Sequence, residues 1–258
     1  MRAAVRSSLV AAIVSLVAAG ASAAPMFSIT EIPPQAADGI TVAVGVNSAG
    51  QAAFYANMGR GDIHGFVWEN GVVTDMGDLG GGSSYPMGIN ESGQTTGYSY
   101  NMSYQMRAFS WDSGTMTEVP TLGGYSGYGY GINGNGDVVG VSGLSSGYTH
   151  GFLWADGAIT DLGTLGGTYS EAWGANSLRQ VVGVATTATG DYQAFLWENG
   201  LMQGLPGLGG TYSVAYDINE SGVAAGLAYD AIGYCHACLW ENGVVTDMGV
   251  LPTGNTSI

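Results

Sequence analysis

The chain has 258 residues, 20 of them acidic and five basic, for a net charge of −15. So acidic a chain repels phosphate backbones and anionic membrane surfaces, which sets nucleic acid aside as a partner. Glycine is abundant at 45 residues, yet 46% apolar and 10% aromatic residues exclude a disordered polymer.

The first segment reads as a leader. Arg2 and Arg6 precede an apolar run from Leu9 to Ala19 and the small-x-small triplet Ala21-Ser22-Ala23. This is the layout of a secretory signal peptide, and the run is too short to span a bilayer. Cleavage after Ala23 is expected, leaving one repeat domain over residues 24–258. The mature chain keeps Arg60, Arg107 and Arg179, lacks lysine and has no further run of membrane length. The protein is expected to be secreted, extracellular or periplasmic, with no membrane span in the mature chain.

The next segment, Phe27-Ser28-Ile29-Thr30-Glu31-Ile32-Pro33, resembles Met116-Thr117-Glu118-Val119-Pro120 far downstream. It is therefore predicted to be a strand that returns to the last repeat. From there a strict period begins. Trp68, Trp111, Trp154, Trp197 and Trp240 stand 43 residues apart, as do Leu79, Leu122, Leu165, Leu208 and Leu251, and Asn47, Asn90, Asn133, Asn176 and Asn219. A fixed period of this size means a repeat architecture.

One unit shows four short segments: 128–133, 137–142, 150–154 and 158–165. Asn90-Glu91-Ser92-Gly93 and Asn219-Glu220-Ser221-Gly222 fit a type I turn with a glycine bulge. Asn70-Gly71, Asn199-Gly200 and Asn242-Gly243 fit type I′ hairpins. Helical periodicity is absent from the mature sequence. Phe66 with Trp68, and Phe152 with Trp154, share one strand face, and the other face is also mostly apolar, as in a sheet packed between layers. Met87, Tyr130, Trp173 and Tyr216 form a bulky column beside bare Gly88, Gly131 and Gly174. Gly97, Gly140, Gly183 and Gly226 suggest close sheet approach in the second strand as well. The expected fold is an all-β propeller of four-stranded repeats, with five blades and the N-terminal strand closing the ring. A six-bladed ring and an open β-solenoid share the pattern.

His64-Gly65-Phe66, His150-Gly151-Phe152 and His236-Ala237-Cys238, each followed by x-Trp-x-x-Gly, and the recurring Leu-Gly-Gly give the chain a family likeness over residues 42–251. It resembles the bacterial extracellular repeat family named for its His-Ala-Phe triplet, the HAF repeat. The resemblance implies export and repeat architecture, and brings no catalytic residues. Arg107, Gln193 and Cys238 depart from the triplet.

Several residues are candidates for chemistry. The three histidines recur in alternate units, where a polar strand-start role competes with metal binding. Asp75, Glu118, Asp161 and Asp247 recur with little basic charge to balance them, which makes calcium a candidate ligand, although no D-x-D-x-D-G loop appears. Glu69, Asp112, Glu198 and Glu241 form a second acidic series. Cys235 and Cys238 lie too far apart along an extended strand for a disulfide, so packed thiols are expected. Tyr125, Tyr169 and Tyr212 sit in Gly-Gly segments between units, where rings and hydroxyls could hold sugars. Glu171 to Arg179 breaks the repeat most, with Trp173 outside the periodic tryptophans and Arg179 in place of a turn glycine.

The sequence points to an exported, non-catalytic protein that binds glycan or extracellular protein through inter-blade loops. No cofactor is expected beyond the calcium candidate. A glycan-acting hydrolase on the same scaffold and a purely structural surface protein are the alternatives.

Overall fold

The computed structural model describes residues 12–17, 26–33, 35, 39–59 and 61–249. Among these, every regular element is a β-strand. Five four-stranded antiparallel units cover residues 41–75, 80–118, 123–161, 166–204 and 209–247. In the third unit the strands are Gly123–Ile132, Val138–Leu144, Thr149–Ala155 and Ala158–Asp161, paired in that order.

The turns follow their residues. Asn70, Asn199 and Asn242 have φ of 49°, 51° and 50°, each followed by a positive-φ glycine, as a type I′ turn requires. Gly93 and Gly222 close the other turns by donating to the carbonyls of Asn90 and Asn219. At the equivalent place Arg179 holds φ 61°. Ion pairs to Asp137 at 3.0 Å and Asp156 at 2.8 Å fix its guanidinium there.

Each unit is too thin to bury its own rings, so units bury one another's. Phe195 and Trp197 of the fourth unit pack on Val139, Leu153 and Leu162 of the third. Val138 and Phe152 of the third pack on Ala108 and Val119 of the second. The same faces join the first unit to the second and the fourth to the fifth. Backbones approach closely at the bare glycines. A Cβ on Gly131 would lie 2.6 Å from the Trp173 carbonyl oxygen, and one on Gly174 would lie 2.9 Å from Asp217 Cα.

The asparagine column forms a ladder across these joints. Nδ2 of Asn47, Asn90, Asn133 and Asn176 donates to the backbone carbonyl of the asparagine 43 residues on, at 3.0, 2.8, 2.9 and 3.1 Å. Each Oδ1 meanwhile accepts from the backbone NH four residues on, closing its own turn. One side chain thus satisfies backbone groups of two units.

Three expectations change. First, the Gly-Gly segments are not loops. They form the opening half of each ten-residue first strand, and Tyr169 and Tyr212 pair in parallel with Thr149 and Tyr192 of the preceding unit. These bridges fuse the last three units into one twelve-stranded sheet. Second, Gly97, Gly140, Gly183 and Gly226 do not serve sheet-to-sheet approach. A Cβ there would lie 1.9–2.0 Å from a carbonyl of the unit's own first strand, beside a bulge. The bulged residues are Met87, Tyr130, Trp173 and Tyr216, the bulky column itself.

Third, the N-terminal strand does not close a ring, and the sheets remain open. Met26–Glu31 pairs with Ala12–Val17, inside the expected leader, and the fifth unit makes its own fourth strand from Val244–Asp247. Among the described residues each unit already has its four strands. Just after Met26–Glu31, Ile32 packs on Phe54 and Phe66 of the first unit.

Candidate functional site

The bulges place large side chains on one surface, and these join tyrosines from neighbouring strands. Ring contacts run without a break from Tyr55 of the first unit to Tyr216 of the fifth. Tyr55 meets Tyr85 at 5.6 Å, Tyr85 stacks on Tyr98 at 4.7 Å, and Tyr98 meets Tyr128 edge-on at 5.1 Å. Tyr128 then leads to Tyr130, which stacks on Trp173 at 4.5 Å with planes 10° apart, and Trp173 meets Tyr216 at 5.9 Å. A second chain links Tyr169, Tyr192, Tyr212 and Tyr229. Offset and edge-on contacts of this kind favour a fixed arrangement of rings.

Glu171 lies between the two chains. It accepts a hydrogen bond from the Tyr169 hydroxyl. Its backbone position pairs with Val184, on which Trp173 packs. Burial, and then the Glu171 charge, push the Tyr130 phenol up to about 12. Tyr169 is raised by burial and by its hydrogen bond to Glu171, and Tyr212 by burial, then by Tyr216 and Glu171. Tyr98, buried among Tyr85, Tyr100 and Tyr128, is also pushed up to about 12. At neutral pH the Tyr98, Tyr130, Tyr169 and Tyr212 hydroxyls therefore stay protonated, the last three of them around Glu171.

Of the three tyrosines singled out by sequence, two belong here. Tyr169 and Tyr212 are bridged by Tyr192, and Tyr212 also lines a groove of about 430 Å³ with Gly210, Thr211, Tyr229 and Asp230. Tyr125 stands apart, 85% exposed, with its backbone carbonyl held by the Arg107 guanidinium.

The repeated acids are distributed rather than gathered. Asp75, Asp161 and Asp247 pair with Nδ1 of His64, His150 and His236 at 2.9, 2.8 and 2.9 Å, and Glu118 pairs with Arg107 at 3.0 Å. In the fourth unit both members change together: Gln193 faces Gly204 and donates to the Leu205 carbonyl. Asp75, Asp161 and Asp247 also accept backbone NH groups of Gly77, Gly163 and Gly249. These bonds, with the His236 contact, hold the Asp247 carboxyl below its ordinary range. Among the described residues no three His, Cys, Asp or Glu side chains gather to hold a metal.

Glu69 and Asp112 line a groove of about 540 Å³ between the first two outer hairpins, and Asp112 with Asp156 lines its counterpart of about 530 Å³ in the next joint. Cys235 and Cys238 are free and buried on opposite sides of their strand, and burial pushes the Cys238 thiol up to about 11. No helix among the described residues is long and apolar enough to cross a membrane.

No protein-family model and no curated protein sequence matches the chain. Similar solved structures include TolB from Acinetobacter baumannii, at 12% identity and a TM-score of 0.49 over 82% of this chain and 53% of that one. AofleA from Arthrobotrys oligospora is similar at 11% identity and 0.41, covering 88% and 77% of the two chains. XC5397 from Xanthomonas campestris, a gluconolactonase, is similar at 9% and 0.44, covering 82% and 79%. The chain thus spans 53% of the length of TolB, and the likenesses are of general shape.

Proposed function

We propose that this is an exported, non-catalytic repeat protein of the HAF-like kind that binds glycan on its aromatic surface. In this reading the five stacked sheets are the blades of a propeller-type scaffold left open between the first and fifth units. The observation that carries the function is the unbroken row of rings from Tyr55 to Tyr216. A hydrophobic core has no need to set tyrosine hydroxyls along a half-exposed surface. Sugar rings use both features, by stacking on the apolar face and hydrogen bonding to the hydroxyl. Repetition across units would let weak contacts add along an extended chain.

The test is a glycan array with the purified mature protein, read in calcium and in EDTA, beside a variant carrying Tyr130→Ala and Trp173→Ala. Binding is expected in both buffers, because Asp75, Glu118, Asp161 and Asp247 already hold basic partners, and is expected to be lost in the variant. Binding by both proteins alike, or by neither, would remove the aromatic surface from the account. Binding lost only in EDTA would move the function to the acids.

A further inference from the structure

The aromatic surface contains a charge that its rings do not balance. Asp75, Glu118, Asp161 and Asp247 each have a basic partner, and Asp137 and Asp156 share Arg179. Among the described residues no arginine or histidine lies within ion-pair distance of Glu171. Its one side-chain partner there is the neutral Tyr169 hydroxyl, which leaves the second carboxylate oxygen to accept from elsewhere. Other units carry Tyr85, Tyr128 and Val214 at this position, so Glu171 is a departure in a strictly periodic chain.

The surroundings select the kind of cation. One carboxylate supplies too few oxygens for calcium, which takes six to eight. The remaining neighbours are π-systems. The Tyr169 hydroxyl bonds to Glu171, Tyr192 links Tyr169 to Tyr212, and Trp173, stacked on Tyr130 at 4.5 Å, packs against the cluster that holds Val184, the cross-strand partner of Glu171. Aromatic rings around a carboxylate suit an organic ammonium group, whose N–H or N-methyl hydrogens meet the ring faces while its charge meets the acid.

We propose that Glu171, with Tyr130, Tyr169, Tyr212 and Trp173, forms a binding site for an organic ammonium ion. The amino group of an amino sugar and a quaternary amine share this chemistry. The amino-sugar form rests on the glycan-binding reading above, and the ammonium site itself does not.

Isothermal titration of the purified mature protein tests it with three probes: a glucosamine tetramer, its fully N-acetylated and therefore neutral counterpart, and choline. The glucosamine tetramer is expected to bind about tenfold more tightly than the neutral one. Glu171→Gln is expected to weaken the glucosamine tetramer and choline about tenfold and to leave the neutral tetramer unchanged. Glu241→Gln removes the same charge from an exposed hairpin and controls for bulk attraction to an acidic protein. Equal loss in both variants, or no ammonium-bearing probe sensitive to Glu171, overturns the proposal. Choline binding that depends on Glu171, with no glycan bound, keeps the ammonium site and ends the glycan reading. Neutral-tetramer binding with no preference for the amino form does the reverse.

Discussion

Leu205 and Met248 occupy the same place in successive units, yet one is 7% exposed and the other 60%. Met76, Val119 and Leu162 at the equivalent positions are 3%, 0% and 5% exposed. The difference is the presence of a following unit. The sequence is tuned to it in two ways. Gly45, Gly88, Gly131 and Gly174 give way to Asp217, where no described backbone follows to need the space. Gln51, Gln94, Asp137 and Gln180 each accept from the ladder asparagine of their unit, and Val223 stands where the fifth would be. Asn219 itself is exposed, while Asn47, Asn90, Asn133 and Asn176 are buried. A residue column in this chain is therefore a description of an interface, and it lapses where the described stack ends.

The contrast is sharpest in the core. Phe152→Ala should cost about 3–5 kcal/mol and Leu205→Ala about 2–5 kcal/mol, whereas Met248→Ala should stay within about 0.5 kcal/mol. Urea unfolding of the three variants measures this, and equal losses for Leu205 and Met248 would mean that the fifth unit is covered in solution. Gly131→Ala, which meets a carbonyl at 2.6 Å, should lose about 1–3 kcal/mol. Gly88→Ala, where the nearest atom lies at 3.4 Å, should lose much less in the same assay.

Asn133→Ala removes the ladder bond and strands buried backbone groups, for about 1–3 kcal/mol. Asn219→Ala gives up local turn bonds only and should fall below that by thermal melting. Smallest of all, His150→Gln breaks a partly exposed hydrogen bond to Asp161 and should cost at most about 1 kcal/mol.

Alkaline titration probes the aromatic row instead. Tyr98 and Tyr130 hold their protons more tightly folded than unfolded, with values near 12 against an ordinary 10.0. A raised folded value contributes stability that is complete below the unfolded value and is lost as pH rises through the folded one. The melting temperature should therefore fall between pH 10 and about 12. Replacing both tyrosines by phenylalanine should flatten that fall.

The scaffold was legible because its landmarks recur in identical phase. Trp111 and Phe152 mark a strand wherever they appear, and Asn70-Gly71 marks its turn. The ladder was hidden because its acceptor is a backbone carbonyl 43 residues away, and backbone carbonyls leave no letter in a sequence. Gly166-Gly167 reads locally as a breaker, yet it opens a strand: Gly166 pairs with Thr187 of its own unit, and Tyr169 bridges to Thr149 of the neighbouring one. The acid pairing had a signal that the acid series alone does not display: Arg107 with Glu118, and Gln193 with Gly204, change together eleven residues apart.

The aromatic row was the least legible part. Its members sit at different phases: Tyr55 and Tyr98 on second strands, Tyr85 and Tyr128 on first strands, Tyr130 and Trp173 at bulges. The period picks out the bulky column of Tyr130, Trp173 and Tyr216, but not that the tyrosines at the two other phases join it in one row. Glu171 and Trp173 stood out as departures from the repeat, and the structure places both on that surface.

Tryptophan emission offers the most direct test of the aromatic surface. Trp68, Trp111, Trp154, Trp197 and Trp240 lie in the joints between units or under the N-terminal segment, and Trp173 alone belongs to the row. Titrating the protein with a soluble glycan that it binds should change its emission, and Trp173→Phe should abolish that change. An emission change that survives Trp173→Phe would place the ligand elsewhere and contradict the account.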